Sequence, residues 1–180
     1  MLALILILVA LIGIFIFYFN RFNILENRIE NSLSQIDVQL KRRADLIPNL
    51  IETVKGYTKH ENAAIKAVTE ARELLVSTSN IEGKIKANEK LQSALKSIFA
   101  IAENYPNLKA NENFLELQRE LTSTEDKIAY SRQFYNDSIL SYNDLYKTFP
   151  GSFFASIFNR KPKDYLKISE SERKNIKVEF

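Results

Sequence analysis

Residues Met1 to Phe19 contain neither a charge nor a proline, and this apolar run passes without a break into NRFNILENRIENSLSQIDVQLKRRADLIPNLIETVKGY, whose apolar residues recur at helical spacing. No other feature constrains the fold as much. At about 1.5 Å per residue the run covers about 28 Å, close to the hydrocarbon thickness of about 30 Å, so it is long enough to span a bilayer. A cleaved signal peptide is the competing reading. No basic region precedes the run, it is longer than a usual signal core, and YFNRFN offers no small-residue cleavage pattern, so residues 1–19 read as an uncleaved transmembrane anchor. Arg21, Arg28, Lys41, Arg42 and Arg43 all follow the span. The positive-inside rule then predicts a single-pass cell-membrane protein with its N-terminus outside and its C-terminal body in the cytoplasm.

Beyond the span, the stripe Phe22, Leu25, Ile29, Leu33, Ile36, Leu40, Ala44, Ile47, Leu50, Ile51, Val54 and Tyr57 advances in steps of three and four, which predicts one long core-facing helix. Pro48 falls inside it. A helix-interior proline removes one hydrogen bond and crowds the carbonyl of Ala44, so the position reads as a tolerated kink, or else as a hinge or an exposed carbonyl offered to a partner. A second helix is predicted over ENAAIKAVTEARELL with a narrow face of Ala64, Ala67/Val68, Ala71 and Leu75. A third runs from about Lys84 to Asn104, with Leu91, Ala94/Leu95, Ile98 and Ala102 on its face, and stops before Pro106. The fourth begins near Asn111 and carries Phe114, Leu117, Leu121, Thr124, Ile128, Ser131, Tyr135, Ser138, Tyr142, Leu145 and Phe149 until Pro150 and Gly151 end it.

The fold class is therefore all-α: a transmembrane helix continuing into an elongated antiparallel bundle of two long and two short helices. Residues 1–19 form the anchor and 20–150 the four-helix bundle. Short connections send successive helices in opposite directions, so the fourth returns to the membrane. There residues 151–166 form an aromatic and basic segment with Phe153, Phe154, Phe158, Arg160 and Lys161, suited either to an anionic lipid surface or to capping the bundle. Residues 167–180 read as a mobile tail.

No cysteine is present, which excludes disulfides, thiol nucleophiles and thiolate metal sites. The net charge of +3 is interspersed rather than gathered in a stripe, which argues against nucleic acid. His60 is the single histidine and reads as a solvated turn residue, and no glycine-rich phosphate loop, GxSxG elbow or HExxH motif occurs. No metal or other cofactor is expected. Glu112, Glu116 and Glu120 recur at four-residue spacing, which describes a solvated helix face as readily as an acid–base pair.

The blocks IDVQLKRRADLIPNLIETVKGYTKHE, NYPNLKANENFLELQRELTSTEDKIAYSRQFYND and FNRKPKDY together resemble the LemA family of bacterial membrane proteins, in order and spacing, along nearly the whole chain. The resemblance implies one N-terminal transmembrane helix and a bundle of antiparallel helices. It implies no particular reaction.

If the first and fourth long helices are antiparallel, residues whose numbers sum to about 169 lie at one level, which sets Arg43 opposite Glu125 and Asp37 opposite Arg132. These four residues are expected to fix the register of the bundle, or to line a charged groove that reads a partner's peptide. The expected function is a membrane-anchored scaffold or adaptor without catalytic activity, held in the lipid bilayer by residues 1–19 and engaging protein partners, with self-association also open. A membrane-surface binding or shaping protein is one alternative, and an enzyme with an unrecognised helical active site is another.

Overall fold

The computed structural model describes residues 1–58 and 61–166. His60 and the expected tail, 167–180, lie outside the described residues. Among these there are six helices and no strand: α1 (Leu2–Lys55), α2 (Asn62–Ser77), α3 (Ile81–Ala102), α4 (Pro106–Lys109), α5 (Glu112–Lys147) and α6 (Gly151–Ile157). Local chemistry marks several of their starts. The Asn80 side chain accepts from the Gly83 N–H at 2.7 Å and caps α3, and Asn111 accepts from the Phe114 N–H at 3.0 Å at the head of α5. Pro106 opens α4, where its missing N–H costs nothing.

The chain divides into two compact units, one of residues 32–132 and one of residues 1–31 with the chain from 133 onward. In the first unit, the core takes Ile36, Leu40, Ala44, Ile47, Leu50 and Val54 from α1, Ile65, Val68, Ala71 and Leu75 from α2, Ile85, Leu91, Leu95 and Ile98 from α3, and Phe114, Leu121 and Ile128 from α5. Each set repeats at helical spacing, so one face of each helix leaves water, at about 25 cal/mol per Å² of apolar surface removed. Here α1 and α5 run antiparallel: Arg43 meets Glu125, whereas Tyr57, further along α1's direction, accepts a hydrogen bond from Asn111, which precedes α5.

In the second unit, Phe22, Leu25 and Ile29 of α1 pack with Ile139 and Tyr142 of α5 and with Ala155 of α6. The side chains of residues 1–17 stay exposed. This stretch lies in the one helix among the described residues that is long and apolar enough to cross a membrane.

Several expected stripe positions differ. Phe149 is 85% exposed, because α5 ends at Lys147 and the helical phase that would carry it inward is lost. Tyr57 is exposed for the same reason, since α1 ends at Lys55. In α2 the buried residue is Ile65 rather than Ala64, because the larger side chain gains more by leaving water. Ser32 is buried and Leu33 only half-buried, so the inward position is taken by a small residue that permits close approach. Helices α4 and α6 have no counterpart in the sequence reading.

Candidate functional site

In the unit of residues 32–132 the polar chemistry gathers around Arg43. Its residue is only 3% exposed, its Nη1 donates to Asn88 Oδ1 at 2.9 Å, and its guanidinium forms an ion pair with Glu125, whose side chain is about one quarter exposed. Burial lowers the Arg43 pKa to about 10. A guanidinium keeps its proton at any physiological pH, so the shift reports the cost of withdrawing the charge from water, which the Asn88 and Glu125 contacts offset. Among the described residues the buried Arg43 Nε has no hydrogen-bond partner. Leu95, Phe99, Leu121 and Asp126 join Arg43 and Glu125 around a recess of about 210 Å³.

Two further contacts tie α1 to its neighbours. Asp37 forms its ion pair with Lys84 of α3, and Arg42 reaches Glu120 of α5 at 2.8 Å. The structure thus brings Arg43 to Glu125 and brings Asp37 to the third helix, while Arg132 sits half-buried on α5. Pro48 lies within the unbroken α1, exposed on its outer side, and the Ala44 carbonyl that lost its backbone donor accepts from Arg72 Nε of α2 at 2.9 Å. The proline therefore leaves no free carbonyl for a partner, since the defect is filled from within the bundle. Beside it, Asp37, Lys41, Asp45, Arg72 and Lys84 surround a groove of about 360 Å³ with Leu40, Leu75 and Val76 among its lining.

In the other unit the centre is Glu26. Arg160 Nη1 donates to its Oε2 at 2.5 Å, Lys163 Nζ lies 3.5 Å from its Oε1, and the Tyr142 hydroxyl approaches the same oxygen at 3.5 Å. Arg160 Nη2 also donates to Asn23 Oδ1 at 2.5 Å. Burial first, and then the Glu26 charge, push the Tyr142 pKa up to about 12, against a smaller lowering by Arg160. Two asparagines of α5 hold the segment that follows α6. Asn143 accepts from the Lys163 N–H and donates to the Lys163 carbonyl, both at 2.9 Å, and Asn136 does the same with Leu166 at 3.0 and 3.2 Å.

The expected aromatic and basic segment is thereby split. Phe154 stacks on Tyr18 at 4.6 Å between ring centroids, and Phe158 meets Phe15 at 5.0 Å and Phe19 at 5.4 Å, so both rings turn inward. Arg160 is committed to Glu26 and Asn23 instead of facing lipid phosphates, while Phe153 and Lys161 remain exposed. Sequence reasoning missed Glu26, Arg72, Asn88, Asn136 and Asn143. For the two α5 asparagines a signal existed: they are seven residues apart, two helical turns on one face. Among the described residues no group of three His, Cys, Asp or Glu side chains converges on a possible metal position.

A membrane-length apolar helix and an all-α body cross-linked by buried and half-buried ion pairs define the class, a helical protein compatible with membrane anchoring. The chain belongs to the LemA family, whose model matches residues 32–180. It is 31% identical to Protein LemA of Metamycoplasma hominis over 180 aligned positions, covering 96% of this chain and 81% of that one. It is 24% identical to the Magnetosome protein MamQ of Magnetospirillum gryphiswaldense, over 88% of this chain and 68% of that protein, and 21% identical to Magnetosome protein MamQ 2 of Paramagnetospirillum magneticum with the same coverage.

Proposed function

We propose that this protein is a membrane-anchored helical scaffold or adaptor with no catalytic activity of its own, embedded through residues 1–19 with its N-terminus outside and its bundle in the cytoplasm. The observation that carries this reading is α1. One continuous helix, Leu2–Lys55, bears an exposed apolar stretch of membrane-spanning length and then supplies core residues and the buried Arg43 to the bundle. A helix satisfies its own backbone hydrogen bonds, so its apolar stretch can cross the bilayer without help from another element. The internal charges support the same reading. The buried Arg43 and the largely sheltered Glu26 are each engaged by side chains of their own unit, which suits a role in packing.

The surface offered to a protein partner is the groove bordered by Asp37, Lys41, Asp45, Arg72 and Lys84. It pairs both signs of charge with the apolar Leu75 and the exposed Val76, which suits a mixed-charge helix or extended peptide. A photo-crosslinking residue introduced at Val76 in living cells should yield discrete adducts that are absent when the residue is placed at the exposed Lys90. Equal labelling at the two positions would remove the groove as a partner site. Protease treatment of intact cells should leave the bundle uncut, and cleavage would reverse the topology.

A further inference from the structure

We propose that the outward face of α6 lies in the interfacial layer of the bilayer, giving the protein a second lipid contact beside its anchor. This deepens the anchored reading above and rests on it. The depth of α6 is set by the inward rings of Phe154 and, directly after the helix, Phe158, which pack on Phe15, Tyr18 and Phe19 near the end of the apolar run. Where that run leaves the hydrocarbon, α6 is beside it. Gly151 and Ala155 occupy the buried side, which leaves Phe153 and Ile157, four residues apart, on the other. These are 58% and 51% exposed, and Phe149, just before the helix, also faces outward.

Single exposed apolar residues are ordinary, but three large ones within residues 149–157 at the mouth of a membrane span need a cover. Lipid is the occupant that the surroundings favour. Lys147 and Lys161 are exposed on either side of the apolar stretch, where long side chains reach the headgroups while the rings sit among the upper acyl carbons. Arg160 and Lys163 are held by Glu26 and do not share this role. A protein surface would need no flanking lysines and no alignment with the end of the span.

The chain has no cysteine, so single labels can be placed cleanly. Phe153→Cys and Ile157→Cys, each carrying a nitroxide on the full-length chain in vesicles of phosphatidylcholine and phosphatidylglycerol, would be compared with Val9→Cys in the span and with Tyr130→Cys on exposed α5. Relaxation by oxygen, which concentrates in the bilayer, is measured against relaxation by a water-soluble nickel chelate. The expected oxygen-to-nickel ratio at 153 and 157 exceeds that at 130 several-fold and falls below that at 9. Ratios at both positions equal to that at 130, with position 9 in lipid, overturn the interfacial contact and leave the anchor standing. Shielding of 153 and 157 from both reagents would mean a protein cover and overturns it equally. Nickel access at position 9 overturns the anchor and this inference together.

Discussion

Replacing Arg72 by Met removes the donor that holds the Ala44 carbonyl, and the cost should depend on what stands at position 48. With proline there, the carbonyl has no backbone partner, and Arg72 Nε is its hydrogen bond at 2.9 Å. A hydrogen bond to a charged donor contributes about 1.5–3 kcal/mol, and since Arg72 is only half-buried we take the low end, about 1.5–2 kcal/mol. In a Pro48→Ala background the new alanine N–H takes the carbonyl in the ordinary i→i−4 bond, so Arg72→Met then costs about 0.5 kcal/mol. Pro48 is exposed, so its replacement empties no core space, and the single Pro48→Ala change should itself stabilise by up to about 3 kcal/mol. The coupling in the cycle is about 1–1.5 kcal/mol, which for a chain of 180 residues corresponds to about 2–6 °C in Tm. Thermal unfolding followed by far-ultraviolet circular dichroism on the full chain in detergent measures all four corners. Equal losses from Arg72→Met in both backgrounds would show that Arg72 acts through packing or charge and that the proline defect is not what it fills.

Arg43→Met should destabilise by about 2–4 kcal/mol, since it strands Glu125 and the buried Asn88, and adding Glu125→Leu should recover part of the loss; a double variant no better than the single in urea unfolding would contradict the ion-pair account. Gly151→Ala should cost about 1–3 kcal/mol, because its Cβ would stand 2.1 Å from the Leu145 carbonyl oxygen, whereas Gly56→Ala meets nothing closer than 3.4 Å and should be neutral or slightly stabilising in the same melts. Tyr142 has a folded pKa of about 12 above its ordinary 10, so its stabilising contribution is complete below pH 10 and is lost as pH rises towards 12. Phenolate absorbance should show a late-titrating component that shrinks by one tyrosine in Tyr142→Phe and titrates earlier in Glu26→Gln.

Much of the fold was legible because a helix burying one face must repeat its apolar residues every three or four positions, and α1, α3 and α5 obey that rule over long stretches. The same rule places Arg43 and Glu125 at one level once α1 and α5 are taken as antiparallel. Asp37 shows its limit: a register counted along two helices is blind to Lys84, which arrives from a third. Pro48 announces an orphaned carbonyl at Ala44 but nothing local names Arg72 as the donor. Glu26 and Arg160, 134 residues apart, meet only because α6 turns the chain back onto α1, and that seven-residue helix is too short, and too close to Pro150 and Gly151, to declare a period.

The two asparagines of α5 grip main-chain atoms, and that has a consequence for what can change beside them. Each carboxamide matches one amide and one carbonyl, groups that every residue but proline supplies, so the identities of Lys163 and Leu166 are free of this constraint while their spacing is not. Seven residues of helix advance about 10.5 Å, and three residues of extended chain advance about 10 Å, so the two rulers agree at this one interval. Substitutions between the two contacts can accumulate, whereas a single residue inserted or deleted between them would change their interval by about 3.3 Å, so that both grips could no longer be held together. Length, rather than composition, is what this part of the molecule remembers.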